Sequence, residues 1–245
     1  MTLRLVPGDP DRLGGYWLSG RLGAGAQGVV YDAYDDEGRR FAVKMLHPGM
    51  AGSLPESVAQ LAPCCTVRVV EVRLEAERPY VVSEFVDGPH LRQAVERHGP
   101  YAGQELRALA AGLAGALATL HAAGLTHRDL KPESVLLAAD GPKVIDFGLP
   151  TADPAGGTRT YLAPEIFTGR SGTAAADVFA WGAVVLFAAT GADPFRGESL
   201  GAVMHRVLTV DPDLETLEEP LRALVARALA KDPAQRPPAE ELLDG

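Results

Sequence analysis

The segment His127-Arg128-Asp129-Leu130-Lys131-Pro132-Glu133-Ser134-Val135-Leu136-Leu137 lies in the second half of the 245-residue chain. Two further motifs follow it in order, Asp146-Phe147-Gly148 and then Ala163-Pro164-Glu165. Three such motifs in this order, at short separations, are not a chance occurrence. These motifs decide how the glycine-rich stretch and the lysine upstream of them are interpreted.

A glycine-rich stretch, Gly23-Ala24-Gly25-Ala26-Gln27-Gly28-Val29-Val30, lies between two predicted strands. Glycine lets a backbone turn approach phosphate oxygens closely. A dinucleotide-binding fold would continue with a helix, whereas the β-branched residues here continue as a strand. Taken by itself, the stretch is weak evidence for a phosphate-binding loop, and a plain glycine-rich hairpin is the alternative.

A lysine follows on the next predicted strand, in Phe41-Ala42-Val43-Lys44. Strand alternation places Val43 on one face and both Ala42 and Lys44 on the other. A lysine at this point can reach the α- and β-phosphates of a nucleotide. Taken singly, an exposed strand lysine is the commoner explanation, so the motifs downstream decide between the two.

With these motifs the chain resembles the protein kinase family over nearly its whole length, from residue 16 to residue 240. Lys131, two positions after Asp129, resembles the Ser/Thr branch and not the tyrosine branch. Residues 79–84 and 232–237 look like the bacterial, particularly actinobacterial, members. The resemblance implies an α+β, bilobed fold with a small antiparallel-sheet lobe over residues 1–86 and a larger helical lobe over residues 87–245.

Residue usage predicts the same division, because segments before residue 87 are short, β-branched and interrupted by Gly and Pro, while later segments are long and rich in Ala and Leu. We predict five strands, at residues 16–22, 29–34, 40–45, 67–73 and 79–85. Gly124 is the predicted cap of the first long helix. We predict helices at residues 104–123, 174–190, 199–208, 218–230 and 239–243.

The resemblance implies a role for each motif residue in phosphoryl transfer. Asp129 would accept or orient the substrate hydroxyl, Lys131 would offset charge at the γ-phosphate, and Lys44 would hold the other phosphates. Thr158 matches the threonine that bridges Asp129 and Lys131, with a simple turn threonine as the alternative. ATP would be covered by Gly23, Gly25 and Gly28, with its adenine between Val30, Ala42 and Leu136 and against the backbone of Glu84 and Val86, beside Ser83 as gatekeeper.

Two departures from the family pattern concern the metal and the lysine. Asp146 and Ser134 are the implied ligands of Mg²⁺ or Mn²⁺, but the family has an asparagine at position 134. Because serine is a shorter and poorer oxygen donor, we expect a weakened second metal site, and neutral drift in an inactive site is the alternative. Between residues 45 and 67 the family has a long helix whose glutamate pairs with the lysine, whereas this chain predicts only a short helix at 55–61, with Glu56 as candidate partner of Lys44.

Further pairs and a regulatory site follow from the resemblance. Asp177 resembles the buried aspartate that ties the catalytic loop to a central helix, and Glu165 is expected to pair with Arg236. Arg128 marks kinases whose activation segment is ordered by a phosphate on that segment. Thr151 is the first candidate for that phosphate and Thr160 the second, with Asp153 as a partial substitute for the charge.

The composition and net charge of the chain restrict the kinds of partner that it can bind. A hydrophobic content of 47% supports a large core, and the net charge of −9 argues against a nucleic-acid or anionic-membrane surface. The apolar run at residues 178–192 predicts a buried helix instead of a membrane span, and residues 2–15 lack the apolar region of a signal peptide. We therefore expect a cytoplasmic domain with the adjacent cysteines 64 and 65 as thiols, and the resemblance implies a protein substrate. Sequence leaves the oligomeric state open.

Three functions compete at this point. The first is an active Ser/Thr protein kinase that transfers the ATP γ-phosphate to protein hydroxyls. The second is a pseudokinase that binds nucleotide or serves as a scaffold. The third, a small-molecule kinase of the aminoglycoside type, is disfavoured because the glycine-rich loop occurs together with Ala163-Pro164-Glu165, which builds a peptide-substrate platform.

Overall fold

The computed structural model describes residues 2–47, 58, 61, 65–149, 159–170 and 172–244. These residues form two compact units, one rich in sheet and one rich in helix. The first unit contains the described residues among 2–61, 67–86 and 149, and the second contains 65–66, 87–148, 159–170 and 172–244. The α+β class predicted from the motifs is confirmed by this distribution of elements.

The first unit contains one antiparallel sheet with the strand order β1-β2-β3-β4-β6-β5. Alternating β-branched and aromatic residues place one face of this sheet in the core. The strands are β1 (Arg12–Leu13), β2 (Tyr16–Gly25), β3 (Gly28–Tyr34), β4 (Arg40–Leu46), β5 (Val69–Arg73) and β6 (Tyr80–Glu84). The buried core residues of this face are Leu13, Tyr16, Leu18, Val29, Tyr31, Ala33, Phe41, Val43, Tyr80 and Val82.

Apart from shifts of one residue at strand ends, the sheet differs from the five predicted strands in three places. The two-residue strand β1 was not predicted, because its pairing with β2 at Leu13 and Tyr16 is too short to leave an alternating pattern. Strand β2 extends to Gly25, since the glycine-rich stretch continues to pair across the hairpin up to Gly25 and Gly28. Strand β5 begins at Val69 and not at residue 67.

The second unit is built around a buried helix. Helix α4 (Ala174–Thr190) is buried almost throughout, as the apolar run predicted, and Trp181 Nε1 of this helix donates to the Ala110 carbonyl at 3.0 Å. No helix in the described part of the chain is long and apolar enough to cross a membrane. The remaining α-helices are α1 (Leu91–His98), α2 (Gly103–Ala122), α3 (Pro164–Phe167), α5 (Leu200–Thr209) and α6 (Leu221–Ala228).

Several short elements of this unit were not predicted. Helix α1 and the two-stranded sheet of β7 (Val135–Ala138) and β8 (Gly141–Val144) lie next to the catalytic motifs, where charged and proline residues obscure any periodicity. The predicted last helix is instead a 3₁₀ helix, Ala239–Asp244, which follows directly on two prolines. The tight three-residue turn suits so short a segment.

Helix α2 ends in the geometry that Gly124 predicted. Gly124 has φ +72°, a left-handed conformation in which a β-carbon would be unfavourable. Its N–H donates to the His121 carbonyl at 3.0 Å, and the Leu125 N–H donates to the Leu120 carbonyl at 2.9 Å. These two bonds form a Schellman motif, which terminates the helix and directs the chain toward His127.

The predicted ion pair between Glu165 and Arg236 is present and buried. Arg236 Nη1 and Nη2 donate to the two Glu165 carboxylate oxygens at 2.7 and 2.8 Å. The guanidinium also donates to the carbonyls of Ala230 and Ala175, both at 2.9 Å. Because nearly all its donors are used, the buried charge is compensated.

We predict that Glu165→Ala lowers the free energy of unfolding by about 3 to 5 kcal/mol, because Arg236 is left as an uncompensated buried charge. Urea unfolding followed by circular dichroism measures this loss. Arg227→Ala is the matched control, since its pair with Glu241 is about half exposed and removal should cost about 1 kcal/mol or less. Equal losses in the two variants would contradict the assignment.

Candidate active site

Three of the predicted nucleotide-binding residues share one face of the first unit's sheet. Val30 pairs with Lys44, and Ala42 pairs with Ser83. Residues paired across neighbouring strands point to the same side, so this face is opposite to the one that buries Val43. The prediction that Ala42 and Lys44 lie opposite Val43 is confirmed.

The glycines of the loop differ in what they require. A β-carbon at Gly28 would lie 2.0 Å from the Met45 carbonyl oxygen, so packing alone demands glycine there. A β-carbon at Gly23 or Gly25 would meet no described atom within 4 Å. Space above Gly23 and Gly25 is what a loop needs if its backbone approaches a ligand closely.

The predicted hinge lies at the end of strand β6. Glu84 closes the strand, and its carboxylate accepts the Arg68 backbone N–H at 2.9 Å. Phe85 packs beneath the Arg40 guanidinium, whose carbon lies 3.6 Å from the ring centroid. Val86 follows as the last residue of the segment 67–86 of the first unit and is half-buried. The hinge segment is therefore held by contacts of Glu84 and Phe85.

In the second unit, Asp177 holds the start of the catalytic loop. Its two carboxylate oxygens accept the backbone N–H groups of His127 at 2.7 Å and Arg128 at 2.8 Å. His121 Nε2 lies 2.9 Å from the same carboxylate. Arg128 has a left-handed backbone, φ +71°, which costs about 1 to 3 kcal/mol in a non-glycine residue and needs such support. The predicted link between Asp177 and the backbone of the catalytic loop is confirmed.

His127 connects this loop to the segment that carries Asp146. The His127 Nδ1 accepts the Asp129 N–H at 3.2 Å, so the proton resides on Nε2, which donates to the Ile145 carbonyl at 3.0 Å. The ring is fully buried, and burial lowers the pKa of His127 despite the nearby carboxylates. The imidazole is therefore neutral and has one tautomer.

Asp129, Lys131 and Ser134 are brought together within the loop. Lys131 Nζ donates to the Asp129 carboxylate at 2.5 Å, with both side chains about a quarter exposed. The Ser134 hydroxyl donates to the Asp129 carbonyl at 3.0 Å and is nearly fully buried. Serine thus braces the loop through its proton, while its oxygen lone pairs stay able to accept a ligand.

Asp146 and Leu136 lie within two residues of the hydrogen bond that joins Ser134 to Ile145. Ile145 N–H donates to the Ser134 carbonyl at 2.9 Å, which places Asp146 one residue beyond a direct link to the loop. Asp146 has φ +64°, a second left-handed non-glycine position. Leu136 is a half-buried residue of β7 that pairs with Lys143. Strained positions of this type concentrate at functional sites.

Some predicted residues fall outside the described part of the chain. Thr158, Thr151, Asp153 and Glu56 belong to this group, as does most of the predicted helix at 55–61. Thr160 is described and is only 6% exposed, so its hydroxyl does not present itself to a kinase in this conformation.

Sequence reasoning missed four contacts at the site. Lys44 Nζ donates to the Gln27 side chain at 2.5 Å, and His121 is a third partner of Asp177. Arg92 pairs with Glu133 of the catalytic loop and with Asp193 at 2.9 Å. The glycine-rich stretch marks Gln27 as a residue near the site but does not reveal its contact with Lys44, and Arg92 belongs to no motif.

Comparison with known proteins identifies the family of this chain. The protein kinase domain family matches residues 16–245. The probable serine/threonine-protein kinase PkwA of Thermomonospora curvata is 39% identical, over 98% of this chain and 35% of PkwA. The serine/threonine-protein kinase AfsK of Streptomyces coelicolor is 37% identical, over 99% of this chain and 33% of AfsK. The crystal structure of Rad53 in complex with AMP-PNP superposes with a TM-score of 0.82 at 26% identity, over 94% of this chain and 64% of Rad53.

The chain belongs to the protein kinase domain family and has its bilobed α+β fold. The resemblance to actinobacterial Ser/Thr kinases is likewise confirmed. The chain spans about a third of the length of these curated relatives.

We predict a pH dependence of stability that arises from His127. Because burial lowers the pKa of His127 in the folded protein, the unfolded chain takes up the proton more readily, from about pH 6.5 downward. The stability that this neutral ring contributes is thus present above about pH 6.5 and lost below it, with a slope of up to about 1.4 kcal/mol per pH unit.

His127→Gln should be less stable at neutral pH and should show a shallower loss between about pH 6.5 and pH 5. Urea unfolding at a series of pH values measures both quantities. His98→Gln, at an exposed position, is the control and should keep the wild-type slope. A wild-type slope in His127→Gln would refute the assignment.

Proposed function

We propose that this chain is the catalytic domain of a Ser/Thr protein kinase that transfers the γ-phosphate of ATP to Ser or Thr hydroxyls of a protein substrate. The observation that carries this proposal is the Asp129–Lys131 pair at 2.5 Å, held on a loop whose backbone Asp177 fixes. The matching relatives are named serine/threonine-protein kinases, which supports the same reaction.

The proposed reaction needs positioning and charge compensation more than covalent chemistry. The substrate oxygen forms a bond to the γ-phosphorus while the bond from that phosphorus to the bridging oxygen breaks, and ADP leaves with the electron pair. Asp129 orients the hydroxyl and receives its proton. Lys131 compensates charge that develops on the phosphoryl oxygens, and Lys44 holds the remaining phosphates.

The proposed metal is Mg²⁺ or Mn²⁺, held by Asp146 and Ser134. In the described part of the chain no group of three or more His, Cys, Asp or Glu side chains forms a metal cage. This fits Mg²⁺, which is usually bound by one or two protein oxygens together with substrate phosphates and water. The metal supplies neutralisation of the phosphate charge when nucleotide is bound.

The proposal extends to the location and to the other nucleotide contacts. We place the domain in the cytoplasm, because the reaction requires ATP. Gly23, Gly25 and Gly28 cover the phosphates, and the hinge backbone of Glu84 and Val86 contacts the adenine. Val30, Ala42 and Leu136 provide the apolar contacts to its ring, and Thr158 bridges Asp129 and Lys131.

Transfer of labelled phosphate from ATP to a basic generic protein substrate, with Mg²⁺ or Mn²⁺, tests the function. We predict activity in the wild type and a loss of at least about 100-fold in Asp129→Asn, which keeps the shape of the side chain but not its basicity. ATP with metal should still raise the melting temperature of both proteins.

The alternative functions appear as distinct outcomes of the same measurement. A melting shift with no transfer by the wild type would favour a pseudokinase, for which the serine at position 134 is the specific argument. No shift at millimolar ATP would favour a scaffold and refute nucleotide binding.

We predict that Ser134→Asn raises the rate of transfer by about tenfold at low Mg²⁺, equivalent to about 1.4 kcal/mol. An asparagine Nδ2 can donate to the Asp129 carbonyl in place of the hydroxyl, while Oδ1 adds the stronger metal ligand. The gain should shrink at high Mg²⁺, because added metal fills a weak site by mass action. Initial rates across a metal titration measure it.

Ser134→Ala is the matched variant that lacks both brace and ligand, and its rate should fall below that of the wild type. If Ser134→Asn folds and binds ATP but transfers no faster than the wild type at any metal concentration, the serine does not limit the reaction.

A further inference from the structure

One residue of the glycine-rich loop holds the lysine on strand β4. Gln27 Oε1 accepts a hydrogen bond from Lys44 Nζ at 2.5 Å. The Gln27 backbone carbonyl accepts the His47 N–H at 3.0 Å, just beyond the end of the same strand. Gln27 is 8% exposed and Lys44 is 9% exposed. Both groups are thus removed from water, and the loop is attached to β4 through side chain and backbone together.

The pairing of strands β3 and β4 determines where Gln27 lies. Gly28 pairs with Leu46, and Val30 pairs with Lys44, so the register of β3 on β4 is fixed at this point. The absence of a side chain at Gly28 lets the two backbones approach, as the 2.0 Å distance from a β-carbon built there to the Met45 carbonyl shows. The backbone therefore places Gln27, the residue before Gly28, next to Lys44.

The chemistry of the contact suits a lysine that binds phosphate. A buried ammonium that donates to an amide oxygen forms a charge-assisted bond, which is stronger than a neutral one. The lysine side chain has a flexible four-carbon stem, and such a bond reduces the conformations available to it. An amide is neutral, so this contact fixes the ammonium without cancelling its charge.

We propose that Gln27 is a positioning residue of the nucleotide phosphate site, which holds the Lys44 ammonium where the phosphates bind. This inference rests on the proposed ATP-dependent function. Gln27 acts through Lys44, so its contribution should appear only with ligands that carry phosphates.

The test compares the affinity of wild type and Gln27→Met for MgATP and for adenosine by titration calorimetry. Methionine keeps the length of the side chain and removes the acceptor. We expect MgATP to bind about tenfold more weakly to Gln27→Met, while adenosine, which has no phosphate, binds equally to both proteins. Gln104→Met, the same exchange at an exposed position of α2, should bind both ligands as the wild type does.

A double-mutant cycle shows whether the effect passes through the lysine. In a Lys44→Met background, Gln27→Met should cause no further loss of MgATP affinity, since the partner is already gone. Gln27→Ala is the second single variant. It removes the acceptor together with most of the side chain, so it too should bind MgATP more weakly and adenosine normally.

The possible outcomes distinguish failure of the proposed function from failure of the positioning role of Gln27. If the wild type does not bind MgATP, the proposed function fails and the inference falls with it. If the wild type binds MgATP and Gln27→Met binds it equally well or better, only the positioning role is overturned. An equal loss for adenosine and MgATP would show a merely structural role and would overturn it as well. Should Gln27→Met not fold, unchanged MgATP affinity in Gln27→Ala would overturn the proposal.

Discussion

Asp177 accepts the backbone N–H groups of His127 and Arg128 from a nearly fully buried position on helix α4. A carboxylate in such a place is costly unless its oxygens are satisfied, and here the third partner is the His121 ring. The left-handed backbone of Arg128 is stabilised by the same oxygens. Since Asp129 is the next residue, its direction depends on this support. The buried apolar helix that carries Asp177 is therefore part of the catalytic arrangement.

The neutral imidazole of His127 links this loop to the segment that carries Asp146. His127 accepts from the Asp129 backbone with one nitrogen and donates to the Ile145 carbonyl with the other. A protonated ring could not accept, so the contact to Asp129 requires the low pKa of His127 that burial imposes. The residue after Ile145 is Asp146, whose backbone is also left-handed. Two strained positions are thus linked to a single carboxylate by hydrogen bonds that water cannot easily replace.

Sequence patterns predicted the parts of this structure that depend on local chemistry. The alternation in Phe41-Ala42-Val43-Lys44 placed Lys44 on the correct face, and Gly124 predicted the end of α2, because strand pleat and left-handed caps are local properties. Strand β1, helix α1 and the β7–β8 pair escaped prediction, because each is short and is stabilised by its neighbours in space. The contact of Gln27 with Lys44 depends on the register of two strands, which no motif records.

Ser134 braces its loop through hydrogen bonds that do not depend on its proposed role as a metal ligand. The serine hydroxyl donates its one proton to the Asp129 carbonyl, so the loop keeps its internal hydrogen bond without an amide. The Ser134 backbone adds two further links, from its N–H to the Lys131 carbonyl at 2.8 Å and from the Ile145 N–H to its carbonyl at 2.9 Å. The hydrogen bonds of the loop are therefore made with serine at this position. Under the proposed function, any cost of the exchange falls on the oxygen offered to the metal, and the retained scaffold around Asp129 favours a kinase whose rate depends on metal concentration over one whose site has decayed.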